Sequence, residues 1–148
     1  MVIEGWHGGW GNFQMVNPDY LGSGEGDSLG WGFYFSENRQ GGEFFAKYAE
    51  SSKGNGFLHK VVINIKREEL LDTDCDGDLY QRYLRNIARI GKMPAAIDLR
   101  TNGIAVIKAW ETDNESHGYT YIALDTVKIE TVECYAYIRR DNRWIRES

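Results

Sequence analysis

Cysteine and proline are scarce in this chain, with two of each among 148 residues. Cys75 and Cys134 can form one pair at most, so a disulfide scaffold is excluded and two reduced thiols in a cytoplasmic protein are expected. With only Pro18 and Pro94, no Pro-rich linker divides the sequence, and a single domain over residues 1–148 is expected. No apolar run approaches membrane-spanning length, which argues against a membrane partner. The start of the chain lacks a basic stretch followed by an apolar core, so no secretory signal is expected, although a signal-independent export route stays open. Repeats and low-complexity tracts are missing too. Positive charge is in deficit: 17 Lys and Arg face 22 Asp and Glu, a net charge of −5, which argues against non-specific nucleic-acid binding over the whole surface.

What the chain does have is aromatic residues and glycine. Five Trp, nine Tyr and six Phe cannot all be exposed, so a packed domain is expected rather than a disordered one. A first strand is predicted over residues 2–7, then a long Gly-rich connection to Gly30 with turns at 17–19 and 22–27, read as a loop bordering a cleft. Another short strand is predicted over 33–35. Phe44, Phe45, Tyr48 and Ala49 recur at helical spacing and predict a helix over about 42–51. From Phe57 to Lys66 the chain alternates, with His59 among apolar same-face neighbours, which predicts a strand and a structural role for that histidine. Leu79, Tyr83, Ile87 and Ile90 mark an amphipathic helix ended by Gly91. Three more strands are predicted over 104–110, 119–124 and 132–138. The class is α+β, with largely antiparallel sheets.

Several motifs fail on inspection. Asp72-Thr73-Asp74-Cys75-Asp76-Gly77-Asp78 imitates half a calcium loop, but Tyr83 stands where the closing bidentate Glu belongs. An acidic cap on the following helix is the better account. The glycines at 22, 24, 26, 30 and 32 fit neither a dinucleotide fingerprint nor a P-loop. No nucleophile elbow accompanies the Ser, His and Asp residues. The tail bearing Arg139, Arg140, Arg143, Trp144 and Arg146 can contact a phosphate backbone, or can simply be a solvated end that packs its Trp.

The informative stretches are Trp6-His7-Gly8-Gly9 and Gly30-Trp31-Gly32-Phe33-Tyr34-Phe35-Ser36. Glycine is costly to order, so glycines beside aromatics point to close approach of backbone to a ligand or another strand. Together the two strands offer an imidazole, bare amides and a flat ring, which suits a planar amide-bearing ring joined to a sugar. Glu111, Asp113, Glu115 and His117 lie between two predicted strands. A carboxylate from this loop, beside His7 and Tyr34, would stabilise the oxocarbenium-like transition state of N-glycosidic cleavage. It can also orient an incoming nucleophile.

These residues resemble the ADP-ribosyltransferase fold of the His-Tyr-Glu class, which includes diphtheria toxin and the poly(ADP-ribose) polymerases. The closer likeness is to compact transferase domains of phage and mobile-element polyvalent proteins. It rests on His7-Gly8, on Gly22-x-Gly24-Glu25-Gly26 followed by Gly30-Trp31-Gly32-Phe33-Tyr34-Phe35, and on Ala46-Lys47-Tyr48-Ala49. It extends through Leu70-Leu71-Asp72 to Tyr119–Asp125 and Lys128-Ile129, covering roughly residues 3–130. The resemblance implies split antiparallel sheets forming a cleft for NAD+, which would be a substrate, with no metal. It implies that His7 holds the adenosine-side ribose, that Gly8 meets the nicotinamide carboxamide, and that Tyr34 and Tyr48 sandwich the nicotinamide. Ser36 is included among the NAD+ contacts. Thr120 stands where the polymerases carry their catalytic Glu; in the phage-type domains the acid lies six positions earlier than that strand's Tyr, at Glu115 here. Glu111 and Asp113 remain alternatives. Gly9 replaces a common Ser or Thr. The implied activity is mono-ADP-ribosyl transfer to a macromolecule, with a protein acceptor expected and nucleic acid kept open by the Arg-rich tail. The phage-like pattern suggests a role in conflict between bacteria and mobile elements. NAD+ hydrolysis and a catalytically inactive binding module are the rival readings.

Overall fold

The structure, a computed structural model, describes residues 1–13, 30–110 and 112–147, with residues 112–114 as backbone only. The turns expected at 17–19 and 22–27, the Gly22–Gly26 motif and the loop they belong to lie outside the described residues, as does Glu111. Among the described residues, eight strands and three α-helices follow one another as β1 (Val2–Gly9), β2 (Phe33–Ser36), α1 (Arg39–Lys53), β3 (Phe57–Asn64), β4 (Leu70–Asp72), α2 (Gly77–Ile90), α3 (Lys92–Thr101), β5 (Val106–Trp110), β6 (Tyr119–Ala123), β7 (Ile129–Ile138) and β8 (Arg143–Glu147). The α+β class is as expected. The arrangement is one mixed sheet in the order β4-β5-β6-β2-β1-β3-β7-β8, and β4 runs parallel to β5. No helix among the described residues is long and apolar enough to cross a membrane.

The sheet has a seam. β1 and β3 pair along their whole length, from Val2↔Asn64 to Gly9↔Phe57. By contrast, β1 and β2 share only Trp6↔Ser36. On one face, α2 and α3 bury Leu71, Ile107, Ile122 and Leu124 beneath Tyr83, Ala95, Ala96 and Leu99. On the other face, Ile3, Val61 and Ile63 from one side of the seam cluster with Phe33, Phe35, Val106 and Tyr121 from the other, without a helical residue among them. The sheet therefore folds over at the seam and buries itself.

α1 packs by its small residues. Its buried positions are Gly41, Gly42, Ala46 and Ala49, whereas Phe44 and Tyr48 are 52% and 46% exposed. The helix is where the aromatic spacing predicts it, but the aromatics do not form its inner face. The reason is close approach: a Cβ on Gly8 would lie within 2.5 Å of the Ala46 nitrogen and closer still to the Gly42 carbonyl oxygen. α3, β4 and β8 add to the predicted elements. Gly91 (φ +98°) ends α2, as its position predicts, and opens α3, where Pro94 fits the first turn. The acids at 72–78 hold their own turn and give α2 no side-chain cap: Asp76 Oδ2 accepts from the Asp72 amide at 2.9 Å and Asp72 Oδ1 from the Asp74 amide at 3.0 Å. Both cysteines are free.

His59 is fully buried opposite His7, with its ring stacked on Phe13 at 4.0 Å. Its Nε2 lies 3.4 Å from both the Phe13 amide and Cys134 Sγ. An Nε2 that accepts from the amide puts the proton of the neutral ring on Nδ1, which has no hydrogen-bond partner among the described residues. Burial pushes the His59 pKa down to about 3, with nearby His7 adding to the effect. Burial likewise lowers His7 to about 4, despite its bond to the Tyr34 carbonyl.

Both histidines thus fold neutral while the unfolded chain takes up protons below about pH 6.5. Stability should be full above that value and fall as pH drops towards 4. The unfolding midpoint followed across pH 7 to 4 checks this, and His59→Phe should flatten the slope. Separately, Gly8→Ala should destabilise by about 1–3 kcal/mol in urea unfolding, because the backbone of α1 cannot yield as a flexible side chain would.

Candidate functional site

The seam concentrates the polar chemistry. Past Trp6, the β1 edge from His7 to Gly9 has no ladder partner on its β2 side among the described residues. The Tyr34 carbonyl, which a regular ladder would pair with β1 backbone, instead accepts the Nδ1–H of His7 at 2.6 Å. A side chain therefore bridges the seam and, among the described residues, leaves main-chain groups of β1 open. With Nδ1 protonated and the ring neutral, Nε2 is an acceptor. The His7 ring is held by Phe33, stacked at 4.3 Å, and by the edge of Phe13 at 5.7 Å. A Cβ on Gly9 would come within 3.0 Å of Nε2, so the glycine leaves that nitrogen approachable.

The other expected site residues are distributed around this edge. Gly8 is on it, with its Cα under α1. Tyr34 is a neighbour through its carbonyl, but its ring projects to the opposite face from His7, against the α2–α3 cluster, and its hydroxyl donates to the Gly30 carbonyl at 2.5 Å. Ser36 is 4% exposed and lies beneath the first turn of α1, where a Cβ on Gly41 would strike its Oγ. Tyr48 is on the exposed side of α1, so its ring is not stacked against the buried side of Tyr34. Glu115 is exposed on a 3-10 turn, Thr112–His117, that leads into β6. Asp113 is on the same turn.

That turn is fastened to the chain just past β2. The Glu37 amide donates to the Tyr119 carbonyl at 2.8 Å and the Asn38 amide to the His117 carbonyl at 3.0 Å. Asn38 Nδ2 reaches the Ser116 carbonyl at 3.1 Å, and Glu37 Oε1 accepts from the Tyr119 amide at 3.2 Å. His117 is buried against Phe44 and Phe45. The segment that continues Tyr34-Phe35-Ser36 thus carries the loop bearing Glu115. Glu37 and Asn38, which hold this turn, are positions that the sequence reading missed. Asn directly before a helix suggests a cap, yet this side chain makes no cap bond and is spent on the loop.

A second polar group lies on the strand-only face. The Tyr119 hydroxyl donates to Asp74 Oδ2 at 2.6 Å, a bond that raises its pKa. Lys108 sits 4.2 Å over the Tyr119 ring and 3.9 Å from Asp72. Trp110 meets the same ring edge-on at 5.1 Å. No protein-family model, curated protein or solved structure matches the chain.

Asn38→Ala should release the Glu115 turn. Amide exchange at Glu37 and Gly118 should speed up while that of β3 stays unchanged, with a stability loss of about 0.5–1.5 kcal/mol.

Proposed function

We propose that the chain is a mono-ADP-ribosyltransferase that cleaves NAD+ at the nicotinamide–ribose bond and passes ADP-ribose to a macromolecule. The observation that carries this reading is the β1 edge at His7–Gly9, unpaired among the described residues, beside an imidazole held neutral with an accepting Nε2. A planar carboxamide needs one donor and one acceptor on a common line, and an open strand edge supplies such backbone groups. A ribose hydroxyl needs an acceptor, which Nε2 supplies. Tyr34, Ser36 and Tyr48 remain the NAD+-contacting residues that the resemblance implies; pairing Tyr34 with Tyr48 around nicotinamide requires rings to move from the positions described above.

In the reaction, the C1′–N bond of the nicotinamide ribose breaks and nicotinamide leaves with the electron pair. The acceptor's nucleophile bonds C1′ and gives up its proton. Glu115 stabilises the cationic sugar and receives or relays that proton. The hydrogen-bonded link from Glu37 and Asn38 to the Glu115 turn supports this role, since it couples the turn to the strand of Tyr34.

The test is NAD+ labelled on its adenine side, incubated with the protein and bacterial extract. Label should enter macromolecules, and Glu115→Gln should cut transfer by about 10²–10³-fold without shifting the unfolding midpoint, because the side chain is exposed. Full transfer by a Glu111→Gln, Glu115→Gln double variant would overturn the carboxylate assignment. Rapid loss of NAD+ without transfer would make the protein a glycohydrolase. With neither transfer nor loss, the reading fails.

A further inference from the structure

The surface away from the seam holds a charge pattern that NAD+ chemistry does not use. α2 buries Tyr83 and packs Leu79, Tyr80 and Ile87 on the sheet. Its outer side carries Arg82, Arg85 and Arg89, which line a groove of about 490 Å³ with Asn86 and with Asp98 of α3. At 3.6 residues per turn, positions 82, 85 and 89 fall on one stripe, spaced along the axis by about 4.5 and 6 Å. Among the described residues, Arg82 and Arg85 make no ion pair, and Arg89 meets only Asn86 Oδ1, at 3.3 Å.

Three guanidinium groups on one stripe repel one another, and a structural role would pair them with carboxylates. Several cations elsewhere in the chain are paired: Lys60 and Arg146 share Glu133, Lys128 meets Glu69, and Arg140 and Arg143 meet Asp141. The α2–α3 hairpin, residues 77–101, carries five cations and two acids in a chain whose net charge is −5. An unneutralised stripe in an acidic protein marks an anion site, and the planar fork of Arg favours phosphate oxygens. Arg82, Arg85 and Arg89 follow one another along the helix that lines the groove, which fits a chain of phosphates better than one enclosed group. Ile90 and Ile97, chain neighbours of the lining residues Arg89 and Asp98, are 40% and 43% exposed, and Met93 is 50% exposed. Apolar side chains near the arginines can cover the faces of unstacked bases, which a duplex already stacks on one another. Asp98 would repel a phosphate but accepts from a base amino group or a sugar hydroxyl.

We propose that the groove between α2 and α3 binds single-stranded nucleic acid, with Arg82, Arg85 and Arg89 on successive phosphates. The arginine-rich tail at 139–146, the basic stretch that stands out in the sequence, is the weaker candidate, because its charges are already engaged with Asp141, Glu133 and Glu50.

The experiment is fluorescence anisotropy of the full chain with a labelled 12-nucleotide single strand at several salt concentrations. It uses wild type, the Arg82→Gln, Arg85→Gln, Arg89→Gln triple variant, and an Arg139→Gln, Arg140→Gln, Arg143→Gln control. All six positions are exposed, so unfolding midpoints should match. The groove variant should bind at least tenfold more weakly and lose about two units of salt slope, at roughly 0.7 per phosphate contact. Arg85→Glu alone should weaken binding in the same direction. The control should bind as wild type does. The proposal is overturned by no binding at low salt, by loss confined to the tail variant, by a duplex that binds equally well, or by a mononucleotide that competes as well as the strand. Because the readout is binding, the result is independent of any transferase activity.

Discussion

The rest of the structure depends on the way β1 and β2 meet. Their backbones pair at one position, and the His7–Tyr34 bond takes over where the ladder stops. A continuous ladder would use every polar group between them, whereas complete separation would leave two open edges in the core. One imidazole between these extremes satisfies the β2 carbonyl and frees the β1 edge. It also allows the sheet to turn on itself, so that Ile3, Val61 and Ile63 pack with Phe33, Phe35 and Val106 without a helical residue in the cluster among the described residues. The opening and the strand-only core thus have a common cause.

That arrangement constrains charge. His7 and His59 face each other across β1 and β3 among Phe13 and Phe33, where an imidazolium would lose hydration without gaining a carboxylate among the described residues. The neutral state is imposed by packing. It suits a histidine that accepts a hydrogen bond, and it ties the acceptor at the seam to the integrity of the same aromatic cluster. Cys134 belongs to this environment too: burial pushes its thiol up to about 11, so it serves as a small packing group.

Elements with a strong internal period were legible in the sequence. β3 alternates and α2 repeats at helical spacing, and both form close to their predicted limits. α3 was hidden behind Pro94, which reads as a breaker until the residue is seen to occupy a first turn. β8 is Arg-Trp-Ile-Arg-Glu, a sequence that acquires strand character only from pairing with β7. The inner face of α1 was misleading because small residues bury it, while the more conspicuous Phe44 and Tyr48 remain outside. His7, Gly8, Tyr34 and Glu115 stand out as residue types. What no local pattern contains is register: it sends the His7 and Tyr34 rings to opposite faces and gives Glu37 and Asn38 the task of carrying a loop about 80 positions away.

The two outermost strands have a consequence for the protein in a crowded solution. An open sheet ends in unpaired amides and carbonyls that invite another chain to add a strand. Here one border is β4, only three residues long, and the other is β8, with two arginines and a glutamate in five positions. A short border gives an incoming strand little to hold, and a charged one makes stacking of copies unfavourable. The edge at the seam is unpaired among the described residues, while the outer borders of the sheet resist growth into fibres.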